Sequence, residues 1–120
     1  MLGGVPDLIR VLRALPAVEA GRRTAGFSVM VEQLRARGRL APPRTARSRE
    51  RLRRLVRLVD RVMPDRGNCY RRVLLEISLD RDAAEDPIRI GLREGGGPLS
   101  GHVWLADRDA AGTYDAEFVT

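Results

Sequence analysis

Gly67-Asn68-Cys69-Tyr70-Arg71-Arg72-Val73-Leu74-Leu75-Glu76-Ile77 is the stretch whose reading decides the fold. Pro64-Asp65-Arg66-Gly67-Asn68 is turn chemistry and breaks any helix that enters it. Beyond the turn the spacing becomes helical. Val73, Leu74 and Ile77 lie at offsets of four, five and eight from Cys69 and share a face with it. The stretch therefore predicts a helix that starts at or near Cys69 and runs to about Leu79. The cysteine stands in its first turn, facing inward.

Upstream of this helix the periodicity stays near 3.6. Ser48 predicts the N-cap of a helix reaching about Met63, with Glu50 in its first turn. Leu52, Leu55, Val56, Val59 and Val62 form its apolar stripe, and Arg51, Arg53, Arg54, Arg57 and Arg61 cover the rest as a solvated face. Leu40 to Arg47, with Pro42-Pro43, reads as a linker. Before it, Thr24 to Gly38 reads as a helix capped by Thr24, with Phe27, Met30, Val31 and Leu34 at core spacing and Gly38 as its stop. The first helix is expected over Val5–Pro16, buried through Leu8, Ile9, Leu12 and Leu15 and ended by Pro16.

Downstream the period changes to 2 near residue 86. Pro87 to Leu92 alternates like a strand, Glu94-Gly95-Gly96-Gly97-Pro98 is a loop, Gly101 to Asp107 is a second strand and Thr113 to Val119 a third. The fold class is α+β: helices through residue 79, then a small antiparallel sheet from about 87 to 119. The chain is expected to form one domain over 1–120, with 1–47 an N-terminal helical region and 48–120 the core that carries the chemistry.

Composition narrows the function. The chain has 120 residues, enough for one core, with 43% hydrophobic and 32% charged residues. Net charge is +6, and every one of the 22 basic residues is arginine. An all-arginine balance fits codon bias better than nucleic-acid recognition. A lone cysteine rules out an intrachain disulfide, and with a lone histidine it cannot complete a structural zinc site. No metal or other cofactor is called for, and a reduced, cytoplasmic compartment fits. Asp7, Arg10 and Arg13 interrupt the first apolar stretch, so it does not read as a signal peptide, and no apolar run approaches membrane-spanning length.

Cys69 is followed by the only histidine, in Gly101-His102-Val103-Trp104-Leu105, and then by Asp115 in Tyr114-Asp115-Ala116-Glu117-Phe118. Cys, His, Asp is the chain order of a thiol-nucleophile triad. A thiol attacks as thiolate, and both the positive end of a helix and a nearby imidazolium favour that form. If Asp107-Arg108-Asp109-Ala110 is a four-residue turn, 106 pairs with 111 and 102 stands opposite 115. That register would let Asp115 orient the His102 ring, with Asp107 and Asp109 as rivals. Trp104 reads as core that could wall the site. Arg72 reads as a structural anchor, Asn68 as a turn residue that could donate to an oxyanion, and the Cys69 backbone amide as the safer oxyanion donor.

The segment from about Leu52 to Asp115 resembles the transglutaminase-like cysteine peptidases of lasso-peptide biosynthesis, the leader-peptide-removing B proteins. The resemblance rests on the Arg-rich amphipathic helix before a Pro-containing turn, Cys69 with Arg72 three residues on, Ile88-Arg89-Ile90-Gly91-Leu92-Arg93, the His102-x-Trp104 element after a small residue, and Asp115 thirteen positions beyond His102. It implies a papain-like core in which the cysteine-bearing helix packs on an antiparallel sheet carrying His and Asp. It also implies cleavage of a precursor's leader peptide, aided by a small leader-binding recognition protein and a separate ATP-dependent cyclase. Apart from the resemblance, no membrane partner is called for, and a nucleic-acid partner is the less favoured reading. Two other readings stand beside it. One is a transglutaminase-like acyltransferase that passes the same thioester to an amine. The other is a basic binding module, for nucleic acid or an acidic peptide, that uses the arginines of 35–72.

Overall fold

The structure, a computed structural model, describes residues 4–24, 26–64, 68–93, 100–105 and 116–119. Among the described residues, five helices precede a three-stranded antiparallel sheet: α1 Gly4–Thr24, α2 Phe27–Arg39, α3 Ala46–Val62, α4 Cys69–Leu79, α5 Arg81–Glu85, β1 Ile88–Arg93, β2 Ser100–Leu105 and β3 Ala116–Val119. The α+β class read from the change of period is the one observed.

The helix predicted from residue 69 is α4, and it is the hub. It packs against α1, α2, α3, α5 and β2. Arg71 and all six residues from Val73 to Ser78 are buried. Leu74, Leu75 and Ile77 are fully buried beside Val11, Val18, Val31, Leu52, Val56, Ile88 and Leu105. A short helix with this much apolar surface is held by its neighbours rather than by intrinsic propensity.

Gly38 explains how α2 comes so close. A Cβ placed there would stand 1.9 Å from the Ile77 carbonyl oxygen and 2.8 Å from the Ala84 Cβ. The residue is therefore buried inside α2, which runs on to Arg39, and does not stop it. The expected cap is also displaced. Thr24 closes α1, and Gly26 holds the N-cap position of α2 without a side-chain bond.

α1 departs furthest from expectation. It passes through Pro16 to Thr24 and buries Asp7, Val11, Ala14 and Val18, while Leu8, Ile9 and Leu12 are exposed by 37%, 45% and 51%. Pro16 sits on the exposed side. The face chosen is the one that carries carboxylates toward buried arginines. Asp7 takes two hydrogen bonds from Arg44, at 2.8 and 3.0 Å, and Glu19 takes one from Arg71. Leaving a buried guanidinium unpaired costs several kcal/mol, on the order of 3–5, against roughly 2 for one leucine.

Thr45, rather than Ser48, caps α3: its hydroxyl accepts from Ser48 N–H at 3.1 Å. Leu52, Val56 and Val59 are buried as expected, but Val62 is 76% exposed, and Asp60 takes an inward place instead. α5 was not expected. Asp80 caps it by accepting from Asp82 N–H at 3.1 Å, and also receives Arg49 at 2.7 Å.

The sheet order is β2-β1-β3. Ile88 stands opposite Leu105, Ile90 opposite Val103 and Gly91 opposite His102. On the other side Ile90 stands opposite Phe118 and Gly91 opposite Glu117. The expected hairpin pairing of 102 with 115 is therefore overturned, because β1 lies between β2 and β3. β2 and β3, consecutive in the chain, are not neighbours in the sheet.

Candidate active site

Cys69 is the first residue of α4, half-buried, at the point where the helix meets β2. Asn68 holds the N-cap: its side-chain oxygen accepts from Arg71 N–H at 3.0 Å, and its carbonyl accepts from Arg72 N–H at 3.2 Å. A capped N-terminus presents the positive end of the macrodipole to first-turn residues, a setting that suits negative charge there. The Asn68 side-chain oxygen thus serves the helix itself, as turn chemistry would have it.

The thiol is fixed from its other side by the sheet. The Val103 backbone N–H donates to Cys69 Sγ at 3.3 Å, from 34 residues away. Val103 directly follows His102. The fold therefore delivers the strand that carries the only histidine to the only cysteine, which is what helix-on-sheet packing was expected to do. The His102 side chain lies outside the described set. Its backbone stands opposite Gly91, whose other partner is Glu117, so one row across the sheet reads His102, Gly91, Glu117. Glu117 holds this place by register alone, and no motif pointed to it.

Asp115, Asp107 and Asp109 lie outside the described residues, and the strand order removes the pairing that favoured Asp115. Trp104 is buried, as read, and faces Arg89 across the ladder. Arg72 is half-buried.

The arginine that the sequence reading passed over is Arg71. Its side chain is fully buried between two carboxylates, with Nη1 donating to Asp60 Oδ1 at 2.8 Å and Nε donating to Glu19 Oε1. The same Asp60 oxygen accepts from Asn68 N–H at 3.3 Å. A signal was available. Position 71 shares a helix face with Leu74, Leu75 and Ser78, and a charge on an apolar face demands partners.

Among the described residues no group of His, Cys, Asp and Glu could hold a metal ion, and no helix is long and apolar enough to cross a membrane. Comparison with curated proteins and with solved structures gives no match. A family model described as the transglutaminase-like superfamily matches residues 12–118, nearly the whole chain and including the Cys69 helix and all three strands. With the cysteine at a helix start and the histidine strand against it, the chain belongs to the transglutaminase-like superfamily, which includes cysteine peptidases and acyltransferases.

Proposed function

We propose that this chain is a cysteine peptidase that removes the leader from a ribosomally made precursor peptide in lasso-peptide maturation. Cys69 is the nucleophile and His102 its base. The observation that carries the Cys–His pairing is the Val103 N–H to Cys69 Sγ bond at 3.3 Å, which seats the thiol against the residue next to His102. The leader-peptide substrate rests on the sequence resemblance.

His102 takes the thiol proton as the sulfur attacks the scissile carbonyl, and returns it to the leaving amine as the C–N bond breaks. The acyl group then sits on Cys69 as a thioester. His102 deprotonates water, which attacks the thioester, and the thiol regains a proton. The Cys69 backbone N–H, at a helix N-terminus, is the proposed donor to the developing oxyanion. Asp115 is the proposed carboxylate that orients the ring, with Glu117, in the row of His102, as its rival. The chain works as one cytoplasmic domain with a leader-binding protein and an ATP-dependent cyclase as partners. The acyltransferase reading differs only in the second nucleophile, an amine instead of water.

Mass spectrometry of a precursor peptide incubated with the purified chain and the leader-binding protein tests this. Cleavage at one bond is expected, lost in Cys69→Ala and His102→Ala. A product carrying an added amine identifies the acyltransferase. Cleavage that survives Cys69→Ala refutes the mechanism.

A further inference from the structure

We infer that Glu19, Asp60 and Arg71 form a positioning network that holds the first turn of α4, and with it the Cys69 thiol, in its seat against β2. The inference rests on Cys69 being the nucleophile proposed above. None of the three residues touches the thiol in any described bond, so they are positioning residues and not catalytic ones.

The geometry brackets the cysteine. Asp60 Oδ1 receives the backbone N–H of Asn68, one residue before Cys69, at 3.3 Å, and the guanidinium of Arg71, two residues after it, at 2.8 Å. Arg71 N–H in turn donates to the Asn68 side-chain oxygen at 3.0 Å. One carboxylate oxygen on α3 therefore fixes the helix entry on both sides of the nucleophile. Glu19 ties the same guanidinium to α1. Three helices converge on the turn that carries the thiol, and the fourth restraint comes from the sheet through Val103 N–H.

The choice of residues points the same way. A cation in the first turn opposes the helix macrodipole, and removing a guanidinium and two carboxylates from water is a poor route to stability when apolar residues of similar volume would serve. Charge-assisted bonds from a planar guanidinium do, however, fix direction as well as distance. Catalytic geometry tolerates displacements of only about half an ångström, which supporting shells of this kind supply. The Arg44–Asp7 pair offers an internal comparison: it is also largely buried, and bidentate, but it ties α1 to the α2–α3 linker and, through Arg44 Nε donating to the Leu79 carbonyl at 3.2 Å, to the far end of α4, with no bond to Asn68, Cys69 or Arg71.

The test is residue-resolved amide hydrogen exchange on the full chain, comparing Asp60→Leu with Asp7→Leu. Both changes remove the acceptor oxygens at nearly constant volume, and Asp60→Leu leaves the guanidinium paired with Glu19. The readout is the exchange rate of the Val103 amide, which binds the thiol, relative to that of Trp104, which pairs with Arg89 in the same strand. Asp60→Leu should raise this ratio at least tenfold, and Asp7→Leu should leave it at the value of the unaltered protein. Equal ratios in the two variants, or no response to Asp60→Leu in a folded protein, overturn the inference. If Asp60→Leu does not fold, Glu19→Leu is read by the same ratio. Failure of both to fold would make the network a general support and overturn the narrower role. The ratio involves no turnover. Absent peptide cleavage with the expected ratios would count against the peptidase alone, and cleavage with unresponsive ratios against the positioning role alone.

Discussion

Replacing Gly38 by alanine should damage this fold more than its small size suggests. The added methyl would lie 1.9 Å from the Ile77 carbonyl oxygen and 2.8 Å from the Ala84 Cβ. Ordinary contacts of this kind are above 3.4 Å, so α2 must withdraw from α4 by more than an ångström, or the backbone of α4 must bend. Overpacking a well-filled core costs about 1–3 kcal/mol, and the upper end applies because the obstacle is backbone and cannot rotate away. Alanine regains roughly 1 kcal/mol of helix propensity at an interior position. Separation of α2 from α4 also loosens Met30, Val31 and Leu34, all buried in the shared core, which adds of the order of another 1–2 kcal/mol. The net expectation is a loss of about 2–4 kcal/mol, read as a shift in urea midpoint at constant m-value. Gly26→Ala is the control: nothing lies within 4 Å of its Cβ position and its φ is −64°. It should stay within about 1 kcal/mol of the unaltered protein, as a backbone gain offsets a slightly poorer cap. If Gly38→Ala matches Gly26→Ala, the close approach of α2 to α4 is refuted.

Burial alone would raise the Asp7 carboxyl, but the hydrogen bonds and charge of Arg44, seconded by Arg10, outweigh it and hold the pKa below its ordinary 3.8. A depressed folded-state pKa means stability present above the unfolded value and lost as pH falls through the folded one, so melting temperature should drop from pH 4 downward less steeply in Asp7→Asn than in the unaltered protein. Asp80→Ala removes the α5 cap and a close carboxylate partner of Arg49, both made by one buried carboxylate, and should cost about 2–4 kcal/mol in urea unfolding, with Asp80→Asn costing less because the amide oxygen can still cap. Asp115→Asn and Glu117→Gln, compared in the peptide-cleavage assay, identify the carboxylate behind His102. The responsible residue should lower kcat by about 10²–10⁴ without abolishing it, and the other should leave kcat within a few-fold.

The start of α4 at Cys69 was legible because a Pro–Gly–Asn turn and the apolar spacing after it are both local signals. So were the strands, whose period is their own. The face used by α1 was not. Hydrophobicity ranks Leu8, Ile9 and Leu12 above Val11 and Ala14, but the helix is oriented by Arg44 and Arg71, which lie 37 and 52 residues away from the carboxylates they hold. The sheet order was hidden for a related reason: alternation says which side a residue faces, not which strand lies beside it. That error removed the pairing of 102 with 115 while leaving the strand that carries His102 against Cys69, since the second placement depends on helix-on-sheet packing and not on strand order. Arg71 was overlooked in favour of Arg72 because its partners, Glu19 and Asp60, sit on helices whose inward faces had been read from apolar residues alone.

The proposed mechanism requires Cys69 and His102 to act as a nucleophile–base pair, and the chain holds one cysteine and one histidine, so the pair can be tested without knowing the substrate. The measurement is the rate of Cys69 alkylation by iodoacetamide at pH 7 in the folded protein, compared with that in a folded His102→Ala variant. A base that assists proton removal from the thiol predicts a fall of at least about tenfold when the imidazole is removed, a threshold set below the roughly 10²–10⁴-fold that general acid–base assistance typically contributes. Equal rates in the two proteins would mean that the histidine does not act on the thiol, and would contradict the account at its centre.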